Sequence, residues 1–149
     1  MEFLSKNIED TKSIAIKFVS DLKFNQVGAT VFGLCGELGS GKTTFMKSVA
    51  LAFGVAETIQ SPTFVIMKKY DIRGMSDEIR KEIDFLIHID AYRMESGQEI
   101  LNLGWHEIIS NPKNIIFIEW PDKIKDVMPD HSKIFFEHVG ENERKIIFE

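Results

Sequence analysis

The segment Gly36-Glu-Leu-Gly-Ser-Gly-Lys-Thr43 constrains this chain more than any other feature. It fits G-x-x-x-x-G-K-[ST] and stands between two segments of opposite periodicity. Ahead of it, ATVFGLC (29–35) is short, apolar and bounded by glycines, as a buried strand is. Behind it, Phe45, Met46, Val49, Ala50 and Phe53 fall at helical spacing and stop at Gly54. Gly36, Gly39 and Gly41 let the backbone turn so that successive N–H groups face one anion. The helix N-terminus adds partial positive charge at the same place. Residues Glu37, Leu38, Gly39, Ser40, Gly41, Lys42, Thr43 and Thr44 are therefore the candidate nucleotide contacts. Lys42 suits the β- and γ-phosphates, and the Thr43 hydroxyl suits Mg²⁺. A glycine-rich turn that holds Lys-Thr by chance is the competing reading; the flanking strand and helix weigh against it.

Magnesium at such a loop needs a carboxylate opposite, commonly where an apolar strand ends. Asp90 after FLIHI and Glu119 after NIIFI both qualify, and the residues alone leave open which one touches the metal. One acid at a strand end usually only opens a loop, whereas two beside a phosphate loop favour function. Thr63, after Pro62, is placed to sense a γ-phosphate, with an ordinary strand start as the alternative. His88 and Asp90 alternate onto one strand face, yet no third ligand completes a metal set. His88 thus reads as packed or hydrogen-bonded. Cys35 ends a buried strand without a base beside it, and no catalytic role follows. The guanine-reading Asn-Lys-x-Asp is missing, which makes adenine the better guess.

The remaining pattern is one α/β domain over residues 1–149, an ordinary domain length. A helix follows the N-cap Asn7 and runs to about residues 23–25. FVIMKKYDI (64–72), DFLIHID (84–90) and NIIFIE (114–119) read as strands, and residues 73–82 as a charged surface excursion. One or two short helices occupy ESGQEILNLGW, and KIFFEHV with RKIIF forms a C-terminal antiparallel hairpin. Alternating helices and strands predict a P-loop NTPase-type three-layer sandwich with a mainly parallel central sheet. A single cysteine excludes an internal disulfide framework and fits a reducing cytoplasm. The opening MEFLSKNIED has neither the basic flank nor the apolar run of a signal peptide, and no membrane span is visible. With 18 Lys+Arg against 23 Asp+Glu, the net charge of −5 argues against DNA or RNA as a sole, direct partner.

GELGSGKTT (36–44), Ser61-Pro62-Thr63-Phe64, His88-x-Asp90-x-Tyr92-Arg93 and Glu119-Trp120-Pro121 occur in the order and spacing of the bacterial TsaE (YjeE) ATPases. The start Asn-Ile-Glu-Asp-Thr11 is also similar, so the resemblance spans the chain. It implies a small ATPase, with ATP and Mg²⁺, needed to make threonylcarbamoyladenosine beside the anticodon of tRNAs. It also implies work with TsaD and TsaB, which carry the transfer, and contact with tRNA through that complex. By this resemblance Lys42 and the loop amides hold phosphates, while Thr43 and Glu119 hold Mg²⁺. Asp90 is the second acid of the hydrolytic site, and Thr63 sits in a switch-like segment. Trp120 lies next to the nucleotide, and Thr11 is an adenine-side contact. The long, charged connection at 73–83 departs from the family pattern.

Two rivals share the loop. A small-molecule kinase needs an Arg-rich lid, and Arg73, Arg80, Arg93 and Arg144 are too few and scattered to build one. A non-hydrolysing switch uses nucleotide only to order residues 61–64. No arginine finger stands within the motifs, which leaves Arg93, Arg144 or a partner to supply that charge, and slow turnover of the chain alone is expected.

Overall fold

The computed structural model describes residues 1–55, 66–73 and 81–149. Its elements are β1 (Glu2–Ser5), α1 (Ile8–Ser20), β2 (Thr30–Cys35), α2 (Lys42–Ala52), β3 (Met67–Asp71) and β4 (Phe85–Asp90). There follow α3 (Gln98–Leu101), α4 (Trp105–Ser110), β5 (Asn114–Glu119), a 3₁₀ turn (Pro121–Ile124), β6 (Ser132–His138) and β7 (Arg144–Phe148). Among the described residues, seven strands make one sheet in the order β1-β7-β6-β2-β5-β4-β3. The four central strands run parallel, through β6–β2, β2–β5 and β5–β4. The outer pairings β4–β3, β6–β7 and β7–β1 are antiparallel, so the sheet is mixed.

Parallel strands covered on both faces should be apolar throughout, and these are. All six residues of β5 are buried, as are five of six in both β2 and β4. Alternation then divides the core into two. Phe32, Leu34, Leu86, Ile115 and Phe117 face α1 and α2, joined by Phe45, Val49 and Phe53. Val31, Ile87, Ile89, Ile116 and Ile118 face the other way, onto Ile100 and Trp105. Rings dominate the first layer: Phe32 stacks on Phe117 at 5.2 Å between centroids, and Phe45 meets Phe136 edge-on at 5.4 Å. In the second layer, Trp105 buries its indole and donates Nε1–H to the Val127 carbonyl at 2.9 Å. Such pairing spares a large aromatic the cost of a buried, unmet donor.

Two features depart from the sequence reading. Strand β1 had no predicted counterpart, because four residues with only Ser5 buried carry too short an alternation to register. Helix α1 ends at Ser20, short of residues 23–25, where the Asp21 N–H closes the last turn on Lys17 and Phe18. Strand β3 covers the second part of the 64–72 segment; residues 64–65, and 74–80 of the charged excursion, lie outside the described residues.

Candidate functional site

The parallel strands β2, β4 and β5 end side by side, and the candidate residues cluster there. Asp90 and Glu119 are register partners across the β4–β5 pair, and Glu119 also pairs with Leu34 of β2. Residues in register on neighbouring strands share a face. Leu86 and Phe117 of the same strands pack toward α2, so parity puts both acids on the side where α2 begins at Lys42. Asp90 and Glu119 are 7% and 3% exposed, respectively, deep for carboxylates.

The connection from β2 to α2 turns on glycine. A Cβ at Gly36 would stand 2.7 Å from the Phe136 carbonyl oxygen and 2.7 Å from Ser40 Oγ. Gly41, the residue before α2, has φ of 104°, a conformation that L side chains rarely adopt. The aliphatic stem of Arg144 packs against Gly41, with Cγ 3.6 Å from where a Cβ would sit. The turn carbonyls of Gly140, Glu141 and Glu143 accept hydrogen bonds from Arg144 Nη1.

Lys42 is only 5% exposed. Its ammonium donates to the carbonyls of Gly36 and Glu37, the latter at 2.8 Å, and lies 4.5 Å above the Trp120 ring centroid. Burial holds this ammonium below the usual lysine range, while Glu119 and Asp90 oppose that shift. Trp120 follows Glu119 in the left-handed region, at φ 59°, and its ring leans on Tyr92 at 5.1 Å. Glu119 Oε2 accepts a hydrogen bond from His88 Nε2 at 2.8 Å, both side chains being almost fully buried. Asp90 Oδ1 accepts from the Tyr92 N–H at 3.0 Å.

A cleft of about 820 Å³ joins these groups, within the range of small-molecule sites. Leu38 through Thr44 line it, together with Asp90, Tyr92, Glu119 and Trp120. Asn7, Ile8, Glu9 and Thr11 line it from the start of α1, with Phe136, Asn142, Arg144 and Ile146 from β6, β7 and their turn. Thr11 Oγ1 is 2.6 Å from Ser5 Oγ, which fastens α1 to β1 at the cleft edge. The cleft therefore gathers Thr11, Leu38, Gly39, Ser40, Gly41, Lys42, Thr43, Thr44, Asp90, Glu119 and Trp120. Glu37 is not on its wall and contributes its carbonyl to Lys42. Thr63 lies outside the described residues.

Ser5, Tyr92, Asn142, Phe136 and Ile146 are additions to the sequence-derived set. Tyr92 had a signal, its place in the His-x-Asp-x-Tyr segment; the others reach the cleft only through long-range strand pairing. Cys35 is half-buried, and burial raises its thiol above the usual range, consistent with an inert side chain. Among the described residues no group of three or more His, Cys, Asp or Glu could hold a metal ion alone. The oxygen donors here, a hydroxyl at a helix start and strand-end carboxylates, fit Mg²⁺, which uses one or two carboxylates together with phosphates.

These features define the class: an α/β protein with a mixed, parallel-centred sheet, whose glycine-rich loop and two buried acids share one cleft. The chain belongs to the TsaE family, described as threonylcarbamoyl adenosine biosynthesis protein TsaE, which matches residues 5–146. It is 33% identical over 149 residues to the tRNA threonylcarbamoyladenosine biosynthesis protein TsaE of Bacillus subtilis (strain 168), covering 99% of this chain and 84% of that one. The protein of the same description from Rickettsia felis is 35% identical over 140 residues, covering 93% and 73%. The crystal structure of Bacillus subtilis YdiB superposes with a TM-score of 0.71 at 28% identity, over 99% of this chain and 83% of that one. No helix among the described residues is long and apolar enough to cross a membrane.

Proposed function

We propose that this chain is a cytoplasmic, Mg²⁺-dependent ATPase with a P-loop NTPase-type sandwich, serving tRNA threonylcarbamoyladenosine synthesis together with TsaD and TsaB. Family membership supports the pathway. One observation carries the chemistry: strand parity sets Asp90 and Glu119 on the face where the glycine-rich loop enters α2. That arrangement offers anion-binding amides, a buried cation and two carboxylates to one triphosphate.

In this reading the loop amides of residues 38–44 and the N-terminus of α2 bind the phosphates. Lys42 exchanges its bonds to the Gly36 and Glu37 carbonyls for a phosphate oxygen, and Trp120 stacked beside it keeps that ammonium partly dry. Thr43 and Glu119 would hold Mg²⁺, which would supply positive charge against the phosphates. Asp90 aligns the attacking water, and Thr63 belongs to the segment that responds to the γ-phosphate. Thr11 lies on the base side, while Asn142 of the β6–β7 turn and Arg144 at the start of β7 line the cleft, Arg144 against Gly41 of the loop. Arg144 Nη1 bonds three turn carbonyls, and Arg93 does not line the cleft. In this reading the transition-state arginine, an element worth ~10³–10⁵ in rate, comes from a rearranged Arg144 or from a partner.

The test is a Mg-ATP turnover assay with and without TsaB and TsaD. Slow turnover alone, rising when both are added and lost in Lys42→Ala, is the expected result. Rapid turnover that ignores the partners would overturn the partner-dependent reading. Asp90→Ala should retain nucleotide binding and lose hydrolysis; if it still supports the tRNA modification, the protein is a switch instead.

A further inference from the structure

His88 is wholly buried, two residues before Asp90 on the same face of β4, and its Nε2 meets Glu119 Oε2 at 2.8 Å. Among the described residues it is the hydrogen-bond donor to that carboxylate, and its Nδ1 is a buried polar atom with no partner. The bond from Nε2 is thus the ring's one polar contact among the described residues, and it is aimed at Glu119.

A simple packing role does not require an imidazole. The neighbouring buried positions on β4 are isoleucine and leucine, and a residue there that is itself left half-satisfied costs stability. What the imidazole supplies is direction. A Glu side chain has three rotatable bonds, and a donor at Oε2 fixes the carboxylate plane while leaving Oε1 for another charge.

We propose that His88 is a positioning residue, which orients Glu119 for Mg²⁺ through the Nε2–H bond and thereby couples metal binding to nucleotide binding. This rests on the nucleotide and Mg²⁺ reading above. Outer partners of metal-ligating carboxylates act in this way in general.

The experiment measures the affinity for a fluorescent ADP analogue with excess Mg²⁺ and again with EDTA. It compares the unaltered chain with His88→Leu, His88→Gln and His88→Asn. The glutamine amide nitrogen lies as many bonds from Cβ as Nε2 does, while the asparagine amide is one bond too short to reach Glu119. The ratio of the two affinities should fall about 10-fold or more in the Leu and Asn variants and by no more than about threefold in Gln, as expected from loss and rescue of the hydrogen bond to Glu119. A merely structural role would weaken both affinities equally and leave the ratio unchanged, which overturns the proposal. If Leu does not fold, the Gln and Asn variants decide: a retained ratio in Gln with a reduced one in Asn supports the role, and equal ratios overturn it. A Mg²⁺ effect missing from the unaltered chain would overturn the metal reading, and this inference with it.

Discussion

Two glycines separate the costs that a single methyl group imposes in this fold. At Gly36 an added Cβ meets a backbone oxygen, that of Phe136, at 2.7 Å, and backbone gives way only by moving β6 or the loop. At Gly104, with φ of 78°, an added Cβ meets nothing within 4 Å, so only the backbone conformation resists. Gly104→Ala should therefore cost about 1 kcal/mol. Gly36→Ala adds overpacking and should cost about 2 kcal/mol or more. Thermal unfolding of the two variants checks this, at roughly 2–4 °C per kcal/mol for a chain of this size. Equal shifts would mean that β6 yields freely, and that the loop is less tightly held than its contacts imply. Gly36→Ala should also weaken nucleotide binding, since the loop amides move with it; Gly104→Ala should not.

Helix α1 shows how a local signal and a distant one combine. Asn7 Oδ1 accepts the Asp10 N–H at 2.8 Å and so caps the helix, and Asp10 Oδ2 accepts the N–H of Lys6, just ahead of the cap, at 2.9 Å. Asn7→Ala should cost about 1 kcal/mol, whereas Asn7→Asp should be close to neutral, because an acid also suits a helix start. Urea unfolding midpoints distinguish the two; similar losses in both would show that the amide, not a capping oxygen, matters. This cap was legible in the sequence, as were β2, α2, β4 and β5, because each is written in contiguous periodicity. Pairing the strands was not. Nothing local says that Glu2–Ser5 adds to β7, or that the β6–β7 turn brings Asn142 and Arg144 over the glycine-rich loop. Those are non-local contacts between segments with no shared pattern. Asp90 and Glu119 were legible as strand ends, but their common face became clear only once β4 and β5 were in register. His88 was read as packed or hydrogen-bonded, and its partner, 31 residues away, is visible only in three dimensions.

The whole chain carries net charge −5, yet its cleft gathers the glycine-rich loop and a buried lysine beside two acids. If the proposed nucleotide binds there, a divalent cation would offset Asp90 and Glu119 as well as the phosphates. Stability should then respond to nucleotide and metal jointly. A ligand at 100 times its dissociation constant stabilises a fold by about 2.7 kcal/mol, which for a domain of this length is roughly 5–10 °C in Tm. Mg-ATP should give a shift of that order. ATP with EDTA should give much less, Lys42→Ala almost none, and Glu119→Ala only the metal-independent part. Differential scanning fluorimetry across these four conditions separates the loop's contribution from the carboxylate's. An equal shift with Mg-GTP would remove the adenine preference while sparing the phosphate site. A Tm indifferent to millimolar Mg-ATP would leave the cleft without its proposed ligand.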